Sequence, residues 1–198
     1  MTSMKYNHRD IIEFIRAKVR EDNKALTLMK AGYEAGMDGE AYTTVALQNT
    51  NLSVRCDDYF FEQVAKGGEI ELRNVTDGKV VNKISADRML REIAFGSWRI
   101  GDPAIQYSSK INGMHTCKNS GEQQSTNPCA EYLFLDDTSC NLASLNLLKF
   151  SDDKGTFDVE SYRKAAEITS IALDIANDAA SYPIKDIAEI SPEFRTIG

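Results

Sequence analysis

Asn127-Pro128-Cys129-Ala130-Glu131 places an amide, a thiol and a carboxylate at alternate positions, and this segment speaks most directly of chemistry. Side chains two apart share one face of an extended chain, so the three would converge, neighbours about 6.6 Å apart at roughly 3.3 Å rise per residue. That spacing suits a sugar-sized polar molecule. Asn donates and accepts, Glu accepts or serves as a base, and Cys carries a weak, oxidisable S–H. Pro128 has no N–H to give a sheet ladder, so the segment is expected at an edge or a loop tip inside a larger cavity. A plainer reading stands beside this one: a free cysteine packed against a polar turn, since free Cys is among the most buried residue types.

The cysteines Cys56, Cys117, Cys129 and Cys140 are too few for a disulfide scaffold of this length, and no C-x-x-C pair marks a zinc site. Reduced thiols are expected. His115-Thr116-Cys117 lacks the further ligands a metal needs and is given a structural role, so no metal is expected.

The elements that must hold these residues read as follows. Ile11, Ile12, Phe14, Ile15 and Val19 recur at helical spacing between His8 and about Arg20, with Asn7 as N-cap, and a second helix is expected from about Asp22 to Ala31. Gly32, Gly36 and Gly39 mark a loop. Thr43 to Leu47 and Leu52 to Arg55 are β-prone, and Asp57-Asp58 opens a helix that Gly67-Gly68 stops. Thr76-Asp77-Gly78 between two β-prone runs, Glu69 to Val75 and Lys79 to Ile84, predicts a hairpin. Ser85 caps a helix whose stripe is Leu90, Ile93, Ala94 and Trp98, placing Trp98 in the core; Gly101 and Pro103 end it. Residues 113–126 show no periodicity. Leu133-Phe134-Leu135 and the run from Cys140 to Leu148 look buried, and a long helix is expected from Asp158 to Ser181, with Tyr162, Ala166, Thr169, Leu173, Ala176 and Ala180 on one face and Pro183 beyond it. Strands alternating with helices make the fold class α/β.

Composition narrows the partners. With 42% hydrophobic and 27% charged residues the chain reads as one globular domain over 1–198, and no apolar run or apolar leader points to a membrane. A net charge of −7 with dispersed Lys and Arg argues against a nucleic-acid surface. A cytoplasmic protein is expected.

The string Thr126-Asn127-Pro128-Cys129-Ala130-Glu131-Tyr132, then Leu135-Asp136-Asp137, then Ser139-Cys140-Asn141-Leu142-Ala143-Ser144-Leu145-Asn146-Leu147 closely resembles the active-site finger loop of adenosylcobalamin-dependent ribonucleotide reductases. The similarity extends through His8 to Ile15, Gln48 to Val54, Gly101-Asp102-Pro103 and Ala180 to Pro183. The resemblance implies a fragment of a ten-stranded α/β barrel with the finger loop at about 125–140. It implies that Cys129 becomes a thiyl radical that takes the 3′ hydrogen of a ribose. Glu131 would act as base toward the 3′ hydroxyl, Asn127 would bind the sugar hydroxyls, and Cys140 would be one of two cysteines that supply the reducing electrons. The implied cofactor is adenosylcobalamin. The implied partners are a ribonucleoside diphosphate or triphosphate, the remaining portions of the reductase in cis or trans, and a second copy as a homodimer. The partner cysteine, the effector loop and the phosphate-binding loops of the family have no counterpart here, so the isolated chain is expected to be inactive and to self-associate through open edges. A non-catalytic nucleotide- or partner-binding relic is the alternative. Cys56 stands where the family has an apolar residue and is expected to be a buried thiol.

Overall fold

A computed structural model describes residues 1–198, which form two compact units, Met1–Ala130 and Glu131–Gly198. The first runs β1 (Thr2–Lys5), α1 (Ile11–Lys30), α2 (Glu40–Thr43), β2 (Leu52–Cys56), α3 (Asp58–Lys66), β3 (Glu69–Arg73), β4 (Val80–Ser85), α4 (Ala86–Ile100), β5 (Ala104–Tyr107) and α5 (Ser108–Met114). Strands β1, β2 and β5 pair in parallel, in that order, and β3 pairs antiparallel with β4. The chain is mixed α/β as expected, but these residues close no barrel.

Every residue of β2 is buried, as a central parallel strand requires. Its alternation divides the sheet into two unlike faces. Val54 and Cys56 point into a core shared with Tyr6, Ile11, Ile15, Phe60, Ile70, Leu72, Ala86, Met89 and Ile93. Ser53 and Arg55 point the other way, beside Ser3 of β1 and Gln106 of β5, which stand opposite them in register. One face is packed by helices and the other is polar.

Local chemistry sets the helix ends. The Asp57 carboxylate accepts from Phe60 N at 3.0 Å to start α3, and Gly67 ends it at φ 66°. Ser85 Oγ accepts from Arg88 N at 3.3 Å to start α4, which Gly101 ends at φ 78°. A Cβ on Gly96 would lie 2.8 Å from the Asp102 carbonyl oxygen, so only glycine lets α4 lie against the turn into β5. The Asp102 carboxylate accepts from Leu52 N at 3.2 Å and Lys18 Nζ at 2.5 Å, tying that turn to β2 and α1.

Several expectations need correction. The two helices expected before Gly32 are one, α1, because nothing between Arg20 and Asp22 breaks it, and Asp10 rather than Asn7 stands at its start. Thr43 to Leu47 forms no strand; its first residue closes the short α2. Trp98 is 77% exposed, and its expected neighbour Ala94 is exposed too. The buried stripe of α4 is Ala86, Met89, Ile93 and Gly96; five residues beyond Ile93, at 3.6 per turn, is the far side of the helix. The hairpin forms with Gly78 at φ 67° in its turn.

The second unit holds a 3₁₀ turn at Leu147–Phe150, α6 (Val159–Ala179) and α7 (Lys185–Phe194). The run from Cys140 to Leu148 is not a buried element: Leu142, Leu147 and Leu148 are exposed. Asp158 caps α6 by accepting from Ser161 N at 3.0 Å, and Arg195 pairs with Asp174 and Asp178, holding the end of α7 to α6. Tyr162, Ala166, Thr169 and Leu173 form the half-buried face as expected, but Ala176 and Ala180 are exposed and Asn177 is buried instead. Only Asn177 and Ser191 are fully buried in this unit, and Ile168, Ile171 and Ile175 of α6 face outward.

Candidate functional site

Asn127 to Ala130 is a tight turn, not an extended segment. Ala130 N donates to Asn127 O at 3.0 Å, and Ala130 takes the left-handed conformation at φ 60°. Pro128, with φ fixed near −65°, suits the second position of such a turn. The alternating-face argument therefore fails, and the turn itself presents Cys129 in its third position, exposed. Asn127 and Cys129 close the first unit; Glu131 opens the second and is exposed.

The stretch leading to this turn looked structureless in sequence, yet it is pinned to the polar face of the sheet. Ser125 Oγ lies 3.0 Å from Ser3 Oγ, and Gln106 Nε2 donates to Thr126 Oγ1 at 3.1 Å. Gln123 N donates to Asn112 Oδ1 at 2.8 Å, while Gln123 O accepts from Asn112 Nδ2 at 3.2 Å and from the Arg55 guanidinium. His115 is buried with Nδ1 2.8 Å from Gln123 Nε2. Arg55, Gln106, Asn112 and Gln123 were missed in sequence. The available signal was the alternation of Leu52-Ser53-Val54-Arg55, which puts a charge inside a central strand.

In the second unit, Cys140 is half-buried, and the segment around it is held by side chains and by chain termini of helices. Ser139 Oγ donates to the Tyr182 hydroxyl at 3.0 Å, and Ser139 N donates to Ser191 Oγ at 2.8 Å. Asn141 Nδ2 donates to Asn177 Oδ1 at 2.8 Å, and Gly198 N donates to Asn141 O at 3.0 Å. Tyr132 Oη lies 3.1 Å from Thr196 Oγ1. Burial, and after it the negative charge of Glu131, pushes the Cys140 thiol up. At neutral pH it stays S–H.

This gives a direct test. The pH profile for alkylation of Cys140 by iodoacetamide should lie above that of an ordinary thiol, near 8.5, and Glu131→Gln should move it down. Site-resolved mass spectrometry reads both, and a profile identical in the two proteins would remove Glu131 as a cause.

Cys56 has no exposed surface, and burial followed by the charge of Asp57 pushes its thiol up to about 12. It is the buried thiol expected. All four cysteines are unpaired thiols. Tyr6, whose hydroxyl donates to Asp57 at 3.1 Å, is likewise pushed up by burial first and by that carboxylate second. No helix is long and apolar enough to cross a membrane.

The comparisons with known proteins bear on all of this. A vitamin B12-dependent ribonucleotide reductase of Rhodopirellula baltica is 46% identical over 200 residues, which cover 100% of this chain and 19% of that protein. A protein of the same description from Streptomyces coelicolor is 41% identical over 202 residues, covering 100% and 21%. A vitamin B12-dependent ribonucleoside-diphosphate reductase of Thermoplasma acidophilum is 31% identical over 198 residues, covering 100% and 23%. The chain thus spans about a fifth of the length of these relatives. The family model for the ribonucleotide reductase barrel domain matches residues 1–198, and the chain belongs to that family.

Proposed function

We propose that this chain is part of an adenosylcobalamin-dependent ribonucleotide reductase of the cytoplasm, and that its 125–140 segment is the finger loop carrying the reacting thiol. The observation that supports this most is the Asn127 to Ala130 turn, which holds Cys129 exposed at its tip while the residues before it are anchored to the sheet. The reaction removes the 2′ hydroxyl of a ribonucleotide as water and oxidises two thiols to a disulfide.

Within it, Cys129 as a thiyl takes the 3′ hydrogen of the ribose and returns it at the end. Glu131 receives the proton of the 3′ hydroxyl, and Asn127 hydrogen-bonds the sugar, so both bind substrate as well as serve the reaction. Cys140, held as S–H by burial and by Glu131, gives up its hydrogen as one of the two reducing thiols. Cys129 offers the thiol from which a radical source would take hydrogen, and the surface that holds the cofactor lies mostly outside this chain. When bound, adenosylcobalamin would supply radical chemistry able to take the hydrogen of the Cys129 thiol. Turnover needs the remaining portions of the reductase, in cis or in trans.

The intact reductase, given a ribonucleotide, a dithiol and adenosylcobalamin, should form the 2′-deoxyribonucleotide. Deoxynucleotide formed at the same rate without cobalamin would overturn the cofactor, and none formed with it would overturn the reaction.

A further inference from the structure

The polar face of the sheet carries a hydrogen-bond chain whose direction is fixed by its first member. Arg55 Nη1, on β2, donates to Gln106 Oε1 at 3.3 Å. An arginine can only donate, so the Gln106 oxygen must face it and the amide nitrogen must face away. That nitrogen donates to Thr126 Oγ1 at 3.1 Å. The Thr126 oxygen is thus an acceptor from Gln106, and its own hydrogen is directed onward, to Asn127 O at 2.8 Å. The same carbonyl accepts Ala130 N and closes the turn around Cys129. Arg55 and Gln106 are both buried, where such bonds are held more tightly than at a wet surface.

We infer that Thr126, oriented by Gln106 and Arg55, is a positioning residue for Cys129: it fixes the Asn127 carbonyl about which the Cys129 turn is built. The inference rests on the proposed role of Cys129. A sulfur that must reach one hydrogen of a sugar tolerates little displacement, since misplacement by about 1 Å can lower a rate on the order of 100-fold. Gln106 is part of the same device. In Gln106→Glu the carboxylate keeps the Arg55 contact but cannot donate, so the Thr126 hydroxyl turns toward it and leaves the Asn127 carbonyl.

The experiment uses the intact reductase with adenosylcobalamin, comparing Thr126→Val, Thr126→Ser, Gln106→Glu and Cys129→Ala. Thr126→Val has the same shape without the hydroxyl, and its kcat should fall by about tenfold or more with KM for the nucleotide unmoved. Thr126→Ser, which keeps the hydroxyl, should restore kcat, and Gln106→Glu should behave as Thr126→Val does. A wild-type kcat in Thr126→Val overturns the inference, and so does an equal loss in Thr126→Ser. Cys129→Ala separates the two claims. If it is inactive while Thr126→Val is unimpaired, positioning alone fails; if it is active, the role of Cys129 fails first.

Discussion

A Cys129→Ala reductase is expected to bind its ribonucleotide as the parent does and to reduce it at a rate lower by a factor on the order of 10⁴ or more. The cysteine is exposed at the third position of a turn closed by backbone atoms, Ala130 N to Asn127 O at 3.0 Å. Truncating an exposed side chain there changes stability by about 0.5 kcal/mol or less. The fold and the turn therefore survive, and what disappears is the only atom on that turn able to carry a radical. A serine does no better, because a hydroxyl is much harder to oxidise than a thiol. Nucleotide affinity is read by equilibrium binding and rate by chromatography of the deoxynucleotide formed. Turnover in Cys129→Ala within a hundredfold of the parent would show that another residue carries the radical.

The second large effect concerns stability. Phe60→Ala should destabilise the first unit by about 3–5 kcal/mol, measured as the shift in urea midpoint by circular dichroism. Phe60 has no exposed surface, and its ring lies 5.2 Å from those of both Tyr6 and Phe61. It sits where α3, β2 and the segment after β1 meet, and helices on either side hold the space open after truncation. Such a loss is a large part of the roughly 5–15 kcal/mol that separates a typical folded protein from its unfolded state. Trp98→Ala, a larger truncation at a 77% exposed position, should shift the same midpoint by about 0.5 kcal/mol or less. Equal losses at the two positions would contradict the burial pattern.

That contrast also shows where sequence patterns have force. Asp57, Ser85, Gly67, Gly78 and Gly101 act locally, through a cap or a positive φ, and each does in the structure what its position implied. Trp98 failed because a stripe of four residues fits more than one register, and what decides is the neighbour: α4 packs through Ala86, Met89, Ile93 and Gly96, small enough at Gly96 for the Asp102 turn to approach. β1 and β5 were not foreseen because strands of four residues hold too little pattern to be seen alone; partners on β2 define them. At the candidate site, residue types pointed to Asn127, Cys129 and Glu131, and the resemblance to Cys140, but their geometry did not follow. Alternation holds only for an extended chain, and Pro128 with a left-handed Ala130 makes a turn instead. The anchors at Arg55 and Gln106 lie about 70 and 20 residues upstream, a distance that local periodicity does not span.

The scarcity of buried side chains in residues 131–198 has a kinetic consequence. Hydrophobic burial makes a folding step cooperative, and here that burial is concentrated around β2, α1, α3 and α4. Residues 131–198 fully bury only two polar side chains and turn isoleucines of α6 outward, so apolar burial contributes less to their stability in this chain. Backbone amides of the turn bearing Cys129 are therefore expected to exchange with solvent more slowly than those around Cys140.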